Sequence, residues 1–168
     1  MVQPLQLNRD IDIAPLAAGF AKLGYGTVDS VLIKPSARRL RDGAKQFDGW
    51  NLVTVLEGQH REFVAADMER LEPTRRAPFD ALVAREARGG FCYLYERLNL
   101  YEASRRGEVK DPVLKAAADL IASDAFLELG RALTGDSEIR FADCQLTRYR
   151  PGHFLTAHDD TVGHMDRR

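Results

Sequence analysis

The stretch LTRYRPGHFLTAHDD, residues 146–160, decides how the fold of this chain is interpreted. It combines a tyrosine, a Pro-Gly pair and a His-x-Asp sequence within fifteen residues. On a β-strand, side chains two residues apart project from the same face, so His158 and Asp160 would present an imidazole and a carboxylate side by side. Such a pair supplies two of the three ligands of the facial triad that holds non-haem Fe(II) with open coordination positions.

A His-x-Asp sequence on its own is explained as well by a surface histidine beside solvated acids. The neighbouring residues favour the metal interpretation. Tyr149 lies nine residues before His158 on the strand predicted to precede it, and Pro151 and Gly152 predict a tight turn between the two strands. A hairpin at this turn would bring the Tyr149 phenol close to the metal ligands.

The whole stretch resembles the first metal-binding strand of the Fe(II)- and 2-oxoglutarate-dependent dioxygenases, within them the prolyl-hydroxylase branch of ribosomal-protein hydroxylases and their bacterial relatives. The segment FCYLYERLNLY, residues 91–101, extends the similarity upstream. The resemblance implies an α+β fold in which N-terminal helices pack on a double-stranded β-helix, or jelly-roll. It implies a single domain over 1–168, with helical support over about 1–135 and the start of the metal-binding core over about 136–168.

The resemblance also implies a function. The chain would be an oxidoreductase that hydroxylates a protein or peptide substrate at proline. His158 and Asp160 would hold the Fe(II) cofactor, Tyr149 would hydrogen-bond a carboxylate of the 2-oxoglutarate co-substrate, and ascorbate would be a helper. The protein's part in such chemistry is to fix the ligand geometry and to exclude water.

One part of the family pattern has no place in this sequence. The family has a second metal histidine several dozen residues further on and an Arg or Lys beyond it, whereas the sequence ends at Arg168. We therefore expect the N-terminal portion of such a domain, with only the first part of the jelly-roll present. The alternative is a catalytically incomplete module that binds a protein partner or forms a homodimer through an open sheet edge.

Other candidate ligands are in less favourable positions. His164 would complete a three-ligand site with His158 and Asp160, also for a zinc hydrolase, but a histidine in a frayed tail is the simpler interpretation. His153 is odd-spaced from His158 and should face away from it. His60 is predicted on a solvated turn. The last two residues, Arg167 and Arg168, follow Asp160 too closely to form the strand that carries the co-substrate cation.

Composition limits the function classes. The chain has 168 residues, 45% of them apolar, and a net charge of -1, which is typical of one globular domain without bulk attraction for nucleic acid. The basic cluster at 36–45 is more simply a solvated helix face than a substrate patch. No membrane span or signal peptide is indicated, which favours the cytoplasm. Cys92 and Cys144 are expected to be free thiols.

Hydrophobic periodicity and capping residues predict the elements. Asp111 with Pro112 predicts a helix start and Gly135 a helix end, while Gly58 predicts the end of a strand. The alternation over 91–101 predicts a central strand, whose aromatic stripe is more simply core or strand packing than the lining of a substrate groove. Helices are predicted over 10–24, 36–47, 74–88, 111–123 and 123–135, and further strands over 25–33, 50–58, 60–67, 138–149 and 153–160.

Overall fold

The computed structural model describes residues 3–158. Within that range the chain is mixed α and β, with seven helices and an open antiparallel sheet of five strands. This confirms the predicted combination of helices and sheet. The helices are α1 (Ile13–Leu23), α2 (Lys34–Gln46), α3 (Ala65–Glu69), α4 (Pro73–Gly89), α5 (Leu100–Arg105), α6 (Pro112–Ile121) and α7 (Asp124–Thr134). The strands are β1 (Asn51–Leu56), β2 (Gln59–Val64), β3 (Tyr93–Asn99), β4 (Gln145–Arg148) and β5 (Phe154–Leu155).

The chain forms two compact units that are interleaved along the sequence. The first consists of Met1–Phe47 and Asn99–Leu146, and the second of Asp48–Leu98 and Thr147–Arg168. Three of the five strands precede residue 100, so the sheet starts well upstream of the expected start of the β core near residue 136. The organisation as a single domain stays a prediction.

The first unit is helical. Helix α1 packs against α7, and α6 packs against both α2 and α7. The predicted start of α6 is confirmed, because Asp111 accepts hydrogen bonds from the backbone N–H groups of Val113 and Leu114, both at 2.8 Å. Helix α7 ends at Gly135, whose φ of 75° is the left-handed conformation that glycine adopts without strain.

The strand predicted over 25–33 is wrong. The structure has only an isolated antiparallel bridge here, between Leu7 and Leu32, beside a 2.8 Å hydrogen bond from the Asn8 N–H to the Val31 carbonyl. Ser30 takes a positive φ of 54° just before the bridge, so the chain turns instead of extending. Residues with high β propensity are not enough to form a strand here, because a strand also needs a neighbouring strand to pair with along its length.

The second unit contains the hairpin of β1 and β2. The two strands pair antiparallel up to Leu56 and Gln59, and the two residues between them, Glu57 and Gly58, both have positive φ, at 54° and 71°. Two positive φ angles are what a two-residue hairpin turn requires, because they match the twist of the flanking strands. The strands predicted over 50–58 and 60–67 are therefore present and pair as a hairpin, although residues 65–67 belong to α3.

The strand order is β2-β1-β3-β4, with β5 also pairing with β3. Pairing of Leu52 with Glu96 and of Thr54 with Leu94 places these four buried residues on one face, which we call the helix face because α4 packs on β1 there through its buried Val83. The opposite face, here called the tyrosine face, carries the alternate residues of β3 and their neighbours on β2: Tyr93, Tyr95, Arg97, His60 and Glu62.

Candidate functional site

The segment that carries the His-x-Asp sequence follows β3 as one interrupted strand. Both β4 and β5 pair with β3, and β5 does so antiparallel, with Leu155 opposite Tyr93. Between them a turn is closed by a 2.9 Å hydrogen bond from the His153 N–H to the Arg150 carbonyl, with Gly152 at a φ of 87°. Proline followed by a glycine of positive φ is the sequence of a type II turn.

The hairpin predicted at this turn is therefore wrong, because β4 and β5 pair with β3 and not with each other. The strand predicted over 153–160 is shorter than expected within the described residues, since β5 covers only Phe154–Leu155. The residues of the turn leave the sheet, and the chain then pairs with β3 again as β5. Thr156 holds it there: its N–H donates to the Cys92 carbonyl at 3.0 Å, and its hydroxyl accepts from the Cys92 N–H at 3.0 Å. Both backbone groups belong to Cys92, the residue directly before β3, and the turn brings Thr156 next to them.

A buried ion cluster fixes the start of the segment on the helix face. The Glu96 side chain is only 3% exposed; Arg148 donates a hydrogen bond to one of its oxygens, and Arg150 forms an ion pair with the other at 3.0 Å. The Arg148 guanidinium also lies 4.6 Å from the centre of the Trp50 ring, and Arg150 pairs with Glu69 at 2.8 Å. A buried carboxylate needs such cationic partners, because its charge is otherwise costly to remove from water.

Tyr149 lies between these two arginines and so projects from the tyrosine face. Its ring stacks on that of Tyr95, with ring centroids 5.2 Å apart and planes 21° apart. Tyr149 is half exposed, at 51%. Burial raises the pKa of Tyr95 above its ordinary value, an effect that the nearby Arg97 opposes and Tyr149 reinforces. Tyr95 therefore stays neutral at physiological pH.

The stacked pair belongs to a longer aromatic row. Successive ring centroids are 5.2 Å apart from Tyr149 to Tyr95, 5.4 Å to Tyr93, 5.6 Å to Phe91 and 5.3 Å to His158. Two of the three predicted site residues, Tyr149 and His158, are thus on the same side of the sheet, but the rings of Tyr95, Tyr93 and Phe91 lie between them, so the phenol is not close to the imidazole as expected. The third, Asp160, lies outside the described residues. Phe91 and Tyr149 are both about half exposed, so the predicted aromatic stripe packs along the strand and not in the core.

The imidazole of His158 has a defined orientation. Its Nδ1 lies 3.0 Å from the Thr156 carbonyl oxygen, which can only accept, so Nδ1 carries the proton and Nε2 carries the lone pair. Metal-binding histidines use this arrangement, in which one nitrogen donates to a carbonyl while the other faces the metal. Within residues 3–158 no three His, Cys, Asp or Glu side chains lie close enough together to hold a metal ion.

A polar cluster that the sequence did not suggest lies on the same face. His60, predicted on a turn, is in β2, where its Nδ1 lies 2.5 Å from the Tyr93 hydroxyl and its Nε2 2.9 Å from Glu62. Arg97 donates to the same Glu62 oxygen. Burial alone would raise the pKa of Glu62, but the hydrogen bonds from His60 and Arg97 outweigh it and lower that pKa. Residue spacing could not show this cluster, because β1 lies between its two strands.

The remaining candidates have ordinary roles or lie outside the described range. His153 belongs to the turn, where its Nδ1 accepts from the Arg150 N–H at 3.1 Å. Cys92 and Cys144 are free thiols, as predicted, and burial raises the pKa of Cys144. The tail residues that were considered as substitutes, namely His164, Arg167 and Arg168, are outside the described residues.

In comparisons with known proteins, no protein-family model, no curated protein and no solved structure matches the chain. The resemblance to dioxygenases therefore rests on residues of the sequence alone, those of the 146–160 stretch and of the 91–101 segment. Among the helices of residues 3–158, none has the length and apolar character that crossing a membrane requires.

Proposed function

We propose that this chain is an Fe(II)- and 2-oxoglutarate-dependent oxygenase of the prolyl-hydroxylase type, which hydroxylates a protein substrate at proline. The observation that carries the proposal is the course of the 145–158 segment along β3. It keeps Tyr149 and His158 on one face of the sheet, with three aromatic rings between them, so a co-substrate held by both residues would have to lie along this row. In this proposal the open antiparallel sheet is the first part of a jelly-roll.

His158 and Asp160 would hold the iron, which when bound activates oxygen together with the keto-acid. The donor chemistry of His158 fits this role, because its Nδ1–H is committed to the Thr156 carbonyl and Nε2 carries the lone pair. Thr156 is in turn fixed to the Cys92 backbone by two hydrogen bonds, one through its own N–H and one through its hydroxyl. Ligands held in this way need little rearrangement when the metal binds.

Tyr149 would donate its phenolic hydrogen to a carboxylate of 2-oxoglutarate. The ring is oriented from two sides, since the flanking arginines are held by Glu96 on the helix face and the ring itself stacks on Tyr95. A phenol held in place loses less conformational entropy on binding than a mobile side chain does. The half-exposed rings of Phe91 and Tyr149 suit a proline-containing segment, because proline-rich peptides dock on aromatic surfaces.

Metal binding tests the proposal most directly. We expect the intact chain to bind Fe(II) or Co(II) in an anaerobic calorimetric titration, and His158→Ala to weaken that affinity by at least about tenfold. His153→Gln is the matched control, since His153 is nearby but serves the turn. Equal affinity in wild type and His158→Ala, or equal loss in the control, would contradict the assignment. Release of succinate from 2-oxoglutarate, with ascorbate present, is the second readout.

A binding or self-associating module is the second candidate. The exposed apolar groups at the edge of the tyrosine face favour it: Phe91, Tyr149 and Leu155 are 52%, 51% and 41% exposed. Sedimentation equilibrium separates the two proposals. A mass that doubles with rising protein concentration, together with no metal binding, would support a homodimer instead of an oxygenase.

A further inference from the structure

Among the five tyrosines, all of which lie within residues 3–158, Tyr93 has an unusual partner. Its hydroxyl lies 2.5 Å from Nδ1 of His60. Within the described range, the other four phenols form no hydrogen bond to a nitrogen base. Because phenols become very strong acids when they lose an electron, a base at hydrogen-bonding distance determines which tyrosine is most easily oxidised.

The contacts around His60 bear on its tautomer. Its Nε2 lies 2.9 Å from Glu62, which is ionised because its pKa is lowered and can only accept, and 3.0 Å from a guanidinium nitrogen of Arg97, which can only donate. Because Arg97 already makes two contacts to Glu62, we assign the proton of the neutral imidazole to Nε2, where Glu62 accepts it. Nδ1 then carries the lone pair and accepts the hydrogen of Tyr93. Arg97 directs its donors to Glu62, which adds a second charge-assisted contact to the same carboxylate. The resulting order is phenol, imidazole and carboxylate.

We propose that Tyr93 is a redox-active tyrosine, which gives an electron to a strong one-electron oxidant at the protein surface and its phenolic proton to His60. The O–H bond of Tyr93 breaks, an N–H bond forms at Nδ1 of His60, and the oxidant gains the electron. A neutral phenoxyl radical then remains on Tyr93, and the imidazolium is stabilised by Glu62. Oxidants of the required class include peroxyl radicals and photo-oxidised metal complexes.

The aromatic row gives the electron a route to the surface. Tyr93 contacts Tyr95, which stacks on the half-exposed Tyr149, and on the other side Tyr93 contacts the half-exposed Phe91. An oxidant therefore need not reach Tyr93 itself. Burial raises the pKa of Tyr93, so that the phenol keeps its proton until the electron leaves. Loss of the two is then coupled through His60.

The test uses the intact chain with photo-oxidised ruthenium tris-bipyridine as the oxidant. Radicals are trapped by rapid freezing and measured by electron paramagnetic resonance. We expect Tyr93→Phe to remove most of the tyrosyl signal, whereas Tyr101→Phe, the same change in the helical unit, leaves it. We expect His60→Gln to slow radical formation about a hundredfold, as loss of a positioned base does. His153→Gln is the histidine control.

A persistent signal in Tyr93→Phe, or an unchanged rate in His60→Gln, would overturn the proposal. Should either variant fail to fold, the unmodified chain decides: a nitroso spin trap labels the radical, and peptide mass spectrometry locates the adduct. An adduct on Tyr93 supports the proposal, and an adduct on another tyrosine overturns it. No iron or 2-oxoglutarate is needed, so the result is independent of the proposed oxygenase function.

Discussion

The two faces of the sheet carry the same chemical motif, a glutamate held by arginine, in different surroundings. On the helix face, Glu96 is 3% exposed and forms ion pairs with Arg148 and Arg150. On the tyrosine face, the Glu62 side chain is 38% exposed and accepts from Arg97. Burial removes the help of water, so the first cluster must be complete to be tolerated, whereas water can replace a lost partner in the second.

The difference also separates the roles of the two faces. The Glu96 cluster orients the backbone of the segment, because two arginines fixed on one face direct the residue between them to the other. The Glu62 cluster meets groups that have chemistry of their own, a phenol and an imidazole. The helix face therefore orients the segment that carries Tyr149, and the tyrosine face carries the candidate site residues themselves.

The largest effect is expected from Glu96→Gln. The change leaves two guanidinium groups without their carboxylate, and we expect the free energy of unfolding to fall by about 3 kcal/mol. This is the lower end for a broken buried ion pair, because both arginines still reach solvent. Urea denaturation followed by circular dichroism measures it. Glu62→Gln is the matched control, with an expected loss below about 1 kcal/mol. Equal losses in the two variants would refute the contrast between the faces.

A double replacement sharpens the same contrast. Glu96→Leu alone leaves Arg148 facing an apolar group, but Glu96→Leu combined with Arg148→Met removes the charge that needs a partner. We expect the double variant to be more stable than the sum of the single changes predicts, with a coupling energy of about 1–3 kcal/mol. Arg150 keeps its pairing with Glu69 in both. Simple additivity in the unfolding free energies would show that the two side chains act independently.

The elements that the sequence predicts correctly are those whose signals are local. Asp111 and Gly135 act on backbone groups within a few residues, and Gly58 shapes a two-residue turn, so residue type alone identifies them. The alternation in 91–101 likewise shows β3, although it could not show which face is exposed. Local signals report conformation but not the partner.

The errors concern pairing over long sequence distances. The 146–160 stretch suggests a hairpin, yet Glu96, which lies 52 residues before Arg148, holds the chain beside β3 instead. His60 meets Tyr93 across 33 residues of sequence and an intervening strand. Neither contact can be predicted from residue spacing, because helix and strand periodicity relates only residues within one element, and these pairs lie in different elements far apart in sequence. The candidate site residues were therefore chosen by residue type, and the residues that hold them in place, such as Glu96, were not predicted.

Tyr149 tests whether positioning by the helix face matters at the tyrosine face. Tyr149→Phe keeps the stacking on Tyr95, so the free energy of unfolding should change by less than about 0.5 kcal/mol. Tyr149→Ala loses the stacked pair and should be less stable by about 1 kcal/mol. If the proposed function holds, both variants weaken binding of 2-oxoglutarate in calorimetry, because both lack the hydroxyl. Unchanged binding in Tyr149→Phe would remove Tyr149 from the co-substrate site.

The smallest expected effect is the pH dependence of the Glu62 cluster. Since the pKa of Glu62 is lowered by folding below its ordinary value of 4.5, its contribution to stability is complete above that value and is lost as the pH falls through the folded pKa. The stability difference between wild type and Glu62→Gln should therefore be present at neutral pH and shrink in acid. Salt should reduce it at neutral pH, because the pair is partly exposed. Urea denaturation of both proteins from neutral to acidic pH measures the difference, and a gap that widened in acid would mean that Glu62 is stabilised in its protonated form, as a carboxyl without Arg97 and His60 would be.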